Sequence, residues 1–140
     1  MTDYAYDETL FLVVTLTDDQ QAARIIGWVQ VAKDGQQAQW QHVLDDAVRV
    51  DGSPTDRQWT AIHGALSAAL ARQPRPYRLI LASDLPVCEM LWSSPPPPPP
   101  SEHMSSFLNA WHQLLTGWLG RFDVKLLDRQ RIQQAMEKVP

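Results

Sequence analysis

The run Leu10-Phe11-Leu12-Val13-Val14-Thr15-Leu16 constrains this chain more than any other segment. A strand with one wet face alternates apolar and polar side chains, and this run does not alternate. It predicts a strand buried on both faces, central in its sheet and flanked by helices. That points to an α/β protein built around one sheet.

The neighbouring segments fill in that sheet. Asp18-Asp19-Gln20-Gln21 ends the run, and Ile25 to Ala32 forms a second strand. Lys33-Asp34-Gly35-Gln36 follows, and Asp-Gly between two strand-like segments marks a tight hairpin. The third strand, about Ala38 to Leu44, sets Ala38, Trp40, His42 and Leu44 against Gln37, Gln39, Gln41 and Val43. One face is wet, as on an edge strand.

The period then changes from 2 to 3.6. Ser53-Pro54-Thr55-Asp56 supplies an N-cap, a proline at the first helical position and an early acid. Trp59, Ile62, Leu66, Ala69 and Leu70 then share a helix face that ends near Pro74. Thr55-x-x-Gln58 reads as a capping box. Tyr77 to Ala82 is a buried strand closed by Ser83-Asp84, and Leu85 to Trp92 is expected to form a short helix. Met104, Phe107, Leu108, Trp111, Leu114, Leu115, Trp118 and Leu119 predict an amphipathic helix stopped by Gly120. Asp123 to Leu127 is a last strand, and Asp128 caps a helix with Ile132, Ala135, Met136 and Val139 on its apolar face.

Tight turns make neighbouring strands antiparallel, and helical crossovers make them parallel. The order β-β-β-α-β-α-β-α therefore predicts a mixed five-stranded sheet in order 3-2-1-4-5. Its first three strands are antiparallel and helices lie on both faces. With 140 residues the chain is expected to be a single domain, 1–140, with a polyproline loop at 93–101.

Composition removes several function classes. No apolar run approaches the roughly 20 residues of a membrane helix, so no membrane role is expected. Met1 to Glu8 is acidic and lacks the basic start of a signal peptide. One cysteine, Cys88, forbids an internal disulfide and any multi-cysteine zinc site, and the expected setting is cytoplasmic. A net charge of −4 without a lysine-rich stretch disfavours nonspecific phosphate binding.

Three segments resemble the ribonuclease H family, and the order of elements extends the likeness over nearly the whole chain. Leu12-Val13-Val14-Thr15-Leu16-Thr17-Asp18 resembles the family's first strand, ending in Thr-Asp. Arg78-Leu79-Ile80-Leu81-Ala82-Ser83-Asp84 resembles its fourth, which ends in Ser/Thr-Asp, with Leu85 to Leu91 occupying the short helix that follows. Arg57 to Ile62, with Ala65 and Leu66, resembles its first helix. The ribonuclease H-like fold would set Asp18 and Asp84 side by side at the carboxyl edge of the sheet, where ligand sites of open α/β sheets gather.

The resemblance implies Mg²⁺- or Mn²⁺-dependent attack of water on an RNA phosphodiester in an RNA/DNA hybrid. Asp18 and Asp84 would bridge the ions, which such chemistry sets about 3.5–4 Å apart. Asp128 would join them in catalysis, or Glu137 would complete the metal shell. The chain also departs from the family. Asp19 to Arg24 replaces a glycine-rich segment, and Gln58 stands where a glutamate is expected. The final Gly-His loop and its acidic helix have no clear counterpart, and the proline run replaces a basic protrusion.

Other readings stay open beside this one. Asp18 and Asp84 also suit turn and cap chemistry. His42, His63, His103 and His112 share no metal-ligand spacing, and Cys88 reads as a small buried side chain. Arg72, Arg75 and Arg78, with Tyr77 among them, form the best nucleic-acid patch or else a solvated loop. Pro95 to Pro100 predicts a polyproline II rod of roughly 19 Å, either a spacer or a ligand for an aromatic groove. The alternative function is a non-catalytic binding or assembly module with no cofactor. It would form a homodimer or hold a protein partner through the third strand, the proline rod or the Arg72–Arg78 loop. A different mixed α/β domain whose strand-end aspartates coincide with the pattern is the third option.

Overall fold

The computed structural model describes residues 4–31, 39–72, 75–88, 111–114, 116–118 and 120–137. Its strands are β1 (Tyr4–Leu16), β2 (Ala22–Val31), β3 (Trp40–Arg49), β4 (Arg75–Ser83) and β5 (Phe122–Leu126). Its helices are α1 (Pro54–Ala71) and α2 (Arg129–Glu137), and residues 111–114 and 116–117 are also helical. The sheet order is β3-β2-β1-β4-β5, with β1/β2 and β2/β3 antiparallel and β1/β4 and β4/β5 parallel. This is the order and polarity expected from the sequence.

The apolar run lies at the centre, as its lack of alternation requires. Leu10, Leu12, Val14 and Leu16 of β1 face one side of the sheet, where they pack with Trp59, Ile62, Ala65 and Leu66 of α1. Trp111, Leu114 and Trp118 complete that layer. Val13 faces the other side, with Ile26, Trp28 and Ala82, against Ile132 of α2. Helices therefore cover both faces.

β2 and β4 start slightly early, at Ala22 and Arg75, but β1 and β3 run well beyond what their sequence suggests. β1 begins at Tyr4 rather than Leu10, because Tyr4 and Ala5 pair with Arg75 and Pro76 before an irregularity that ends at Thr9. Charged residues hid that extension, which an ion pair from Arg72 Nε to Glu8 Oε1 (3.0 Å) secures. β3 continues through Asp45, Asp46, Ala47, Val48 and Arg49, paired to Ala22–Ile26. An edge strand needs only one dry face, so Asp45 and Asp46 stay in water. The register slips between Gly27 and Trp28, where Val43 is the extra residue.

Helix α1 starts as its sequence dictates. Ser53 is the N-cap, its hydroxyl accepting from Asp56 N (3.1 Å), and Pro54 occupies the first turn. The reciprocal half of the capping box comes from Asp56, not from Gln58. Thr55 is not the cap, because Ser53 two residues earlier holds that role and Thr55 already lies inside the helix. Gly64 lets α1 lie close to the sheet: a Cβ there would meet Ile25 Cδ1 at 3.0 Å and Val48 Cγ2 at 3.3 Å. Gly120, at φ 74°, ends the helical residues before β5, the left-handed position expected of a helix stop.

The Asp34-Gly35 turn, the proline run, Trp92, His103 and the start of the helix expected from Met104 lie outside the described residues. Of the short helix expected from Leu85, residues 86–88 form one turn closed by Cys88 N–H to Leu85 O (3.0 Å).

Candidate strand-end site

The parallel pair β1 and β4 ends in adjacent turns, and those turns carry the aspartates. After Leu16 the chain reverses in a tight turn, with Thr17 N bonded to Ala22 O (2.9 Å) and Gln20 at φ 58°. Asp19 organises this turn. One of its carboxylate oxygens accepts from Thr17 Oγ1 (2.5 Å) and Gln21 N (3.0 Å), and the Thr17 bond leads the effects that hold its carboxyl below the usual range. Asp18, beside it, points outward with its side chain 94% exposed.

The end of β4 is drawn into the molecule instead. Ser83 Oγ donates to Val14 O (2.7 Å) and accepts from Leu85 N (3.1 Å), which ties the β4 exit to β1. Asp84 follows with its side chain only 11% exposed. Thr15 Oγ1 donates to Asp84 Oδ1 (2.8 Å), and the partly buried carboxylate is served by a counter-charge as well.

Arg129 supplies it. Its Nη2 lies 2.5 Å from Asp18 Oδ1, and its Nη1 lies 3.4 Å from Asp84 Oδ2 and 3.2 Å from Leu16 O. One guanidinium thus joins both strand-end aspartates to the start of α2. A cleft of about 400 Å³ opens beside it, lined by Leu16, Asp18, Gln58, Asp84, Leu85 and Arg129 among others. Gln58 Oε1 is already engaged by Val87 N–H (3.3 Å), so the amide serves to hold the turn after β4.

The remaining candidates lie apart. Asp128 is the N-cap of α2, its Oδ1 accepting from Arg131 N (2.8 Å), which is the capping role its position suggested. Glu137 is at the far end of α2, roughly 12 Å along the helix axis from Arg129 at 1.5 Å per residue. The three arginines are not gathered into one patch. Arg72 is paired with Glu8, Arg75 lies over the Trp118 ring at 5.9 Å from its centroid, and Arg78 is exposed on β4.

Among the described residues no group of three or more His, Cys, Asp or Glu is placed to hold a metal ion. The donor set does not fit a two-ion site. Such a site needs several carboxylates facing open space, and here two carboxylates face a fixed cation. Cys88 is buried, and burial leads the effects that push its thiol up to about 11, so it is inert as a nucleophile. Burial also lowers the pKa of His63.

Arg129 is the site residue that the sequence reading missed. A cation at the first position of a helix opposes the helix dipole, and α2 has no acid in its first turn. That misplaced charge was the available signal.

No protein-family model and no curated protein matches the sequence. The fold, however, is similar to solved ribonuclease H structures. The RNase H1 of the halophilic archaeon Halobacterium salinarum NRC-1 superimposes with a TM-score of 0.51 at 12% identity, covering 89% of this chain and 89% of that one. The protease-reverse transcriptase of prototype foamy virus gives a TM-score of 0.51 at 12% identity, covering 88% of this chain and 17% of that one. At such identities the likeness establishes a ribonuclease H-like fold and nothing finer. Among the described residues no helix is long and apolar enough to cross a membrane.

Proposed function

We propose that this chain is a non-catalytic module on the ribonuclease H-like fold, acting in assembly rather than in phosphodiester hydrolysis. One observation carries the reading: the Arg129 guanidinium is paired with both Asp18 and Asp84, the two carboxylates that a hydrolytic ion would need. Gln58 in place of a carboxylate, and Asp128 committed to the cap of α2, support it.

The surface best suited to assembly is β3. No strand pairs with its outer edge among the described residues, and Trp40 and Val43 stand out at 46% and 36% exposure. Trp40 continues a row of rings across the sheet, 5.8 Å from Phe11, which lies 6.0 Å from Trp28. An open ten-residue edge is self-complementary about a two-fold axis, so a second copy of this chain is the partner that it fits.

The test is cleavage of a labelled RNA/DNA hybrid at high protein concentration with Mg²⁺ and with Mn²⁺. The expected result is an intact hybrid under both conditions. Cleavage that disappears in Asp84→Asn would overturn the reading.

A further inference from the structure

We infer that the row of rings on the α2 side of the sheet is a docking site for a polyproline segment, and that its occupant is the Pro95–Pro100 run of a second copy of this chain. The inference deepens the assembly reading by naming the segment that the second copy contributes. Phe11 of β1, Trp28 of β2 and His42 of β3 stand in direct register on one face of the sheet. The Trp28 and His42 centroids are 6.1 Å apart, and Phe11 lies 6.0 Å from Trp28 and 5.8 Å from Trp40. Trp28 is buried and forms the floor, Phe11 and His42 are half-buried, and Trp40 is 46% exposed at the outer end. The cluster around Ile132 of α2 takes in Trp28 and Phe11 but stops short of Trp40.

The chemistry of this face suits proline. A sheet face offers side chains but no backbone groups, which pair within the sheet. A segment without N–H donors can lie across it and leave none unsatisfied, and proline lacks that donor. Extended proline segments also dock on aromatic surfaces with little ordering cost. Pro95 to Pro100 supply such a segment. Size and charge agree with the fit. Three interstrand steps separate β3 from β4, about 14 Å at about 4.8 Å each, and six prolines extend roughly 19 Å. Arg78 of β4 is exposed and in register with Thr9, two residues before Phe11, so it shares the face of the rings. Glu102 follows the run by two residues, and a run laid from Trp40 toward β4 brings that carboxylate to the Arg78 guanidinium. Cys88 and Trp111, the described residues that flank the run, both sit in the core on the α1 side, opposite the rings. A second copy supplies the run without a detour around the sheet.

The test uses a full-chain variant with Pro95 to Pro100 all changed to Ser, which leaves the site free. Isothermal titration with a peptide of residues 93–103 should show saturable binding. Trp40→Ala in that background is expected to weaken it roughly tenfold or more, as for an aromatic anchor. Arg78→Glu should weaken it several-fold, and a peptide carrying Glu102→Lys should restore it. The same peptide with alanine in place of every proline should not bind. In light scattering the variant is expected to dimerise roughly tenfold or more weakly than the wild type. Should the variant fail to fold, the peptide is titrated into the wild type, where it should convert dimer to monomer. Peptide affinity unchanged by Trp40→Ala overturns the inference. So does a wild type that stays monomeric while the peptide binds, because no second copy then supplies the run. A dimer unmoved by loss of the prolines also overturns it and leaves the β3 edge as the assembly surface. Hybrid cleavage by the wild type would instead sink the non-catalytic reading, a separate result.

Discussion

Replacing Ile132 tests how α2 is held, and α2 is what brings Arg129 to the strand ends. Ile132 is fully buried among Val13, Ile26, Trp28 and Ala82, with Leu127 and Ala135 partly buried beside it. Among the described residues it is the one fully buried side chain of α2, a nine-residue helix too short to persist alone. Ile132→Ala deletes three carbons. At about 0.8 kcal/mol per buried methylene the transfer loss is about 2.4 kcal/mol. The cavity left behind a rigid sheet adds to it, giving an expected total of about 3 kcal/mol, inside the range for such truncations. Ile132→Val removes one carbon and should cost about 1 kcal/mol. Urea unfolding of the three proteins measures the series. At an m-value of about 2 kcal/mol per molar, the Ala variant should lose about 1.5 M in midpoint at unchanged slope. Hydrogen exchange should show the α2 amides losing protection first. A loss under about 1 kcal/mol for Ile132→Ala, with α2 amides still protected, would refute the account of Ile132 as the anchor.

Three further outcomes are expected. Light scattering should show a concentration-dependent dimer that Trp40→Lys converts to monomer; a wild-type monomer at every concentration would remove the β3 edge as an assembly surface. Burial lowers His63 below its ordinary 6.5, so the unfolded chain takes up that proton more readily; stability should be full above about pH 6.5 and fall as the pH drops toward the lowered folded value, a loss that His63→Gln should reduce. Cys88, with its thiol raised to about 11, should resist iodoacetamide at pH 8 in native protein and react rapidly in urea; fast native alkylation would contradict its burial.

The fold was legible where local pattern and global packing agree. The unbroken run of β1 announced a central strand, and Ser53-Pro54 announced the start of α1. Where a segment's pairing rather than its pattern decided its structure, sequence reading fell short. Asp45 to Arg49 show no alternation yet pair with β2 because an edge position tolerates charge. The start of β1 is likewise set by its contact with Arg75 and Pro76, far along the chain. Gln58 looked like a cap and instead holds the turn after β4, because its partner, Val87, is 29 residues away.

By itself the sequence determined the strand order, the helices on both faces and the two aspartates at the ends of parallel strands. Hydrophobic periodicity and turn chemistry act over a few residues and are written locally. Only the tertiary structure decided what those aspartates face. Arg129 is 111 residues from Asp18 and 45 from Asp84, and it reaches them because Ile132 docks α2 on the sheet beside the strand ends. Electrostatic pairing depends on distance through space, so the charge that answers a strand-end carboxylate is fixed only once the layers are packed.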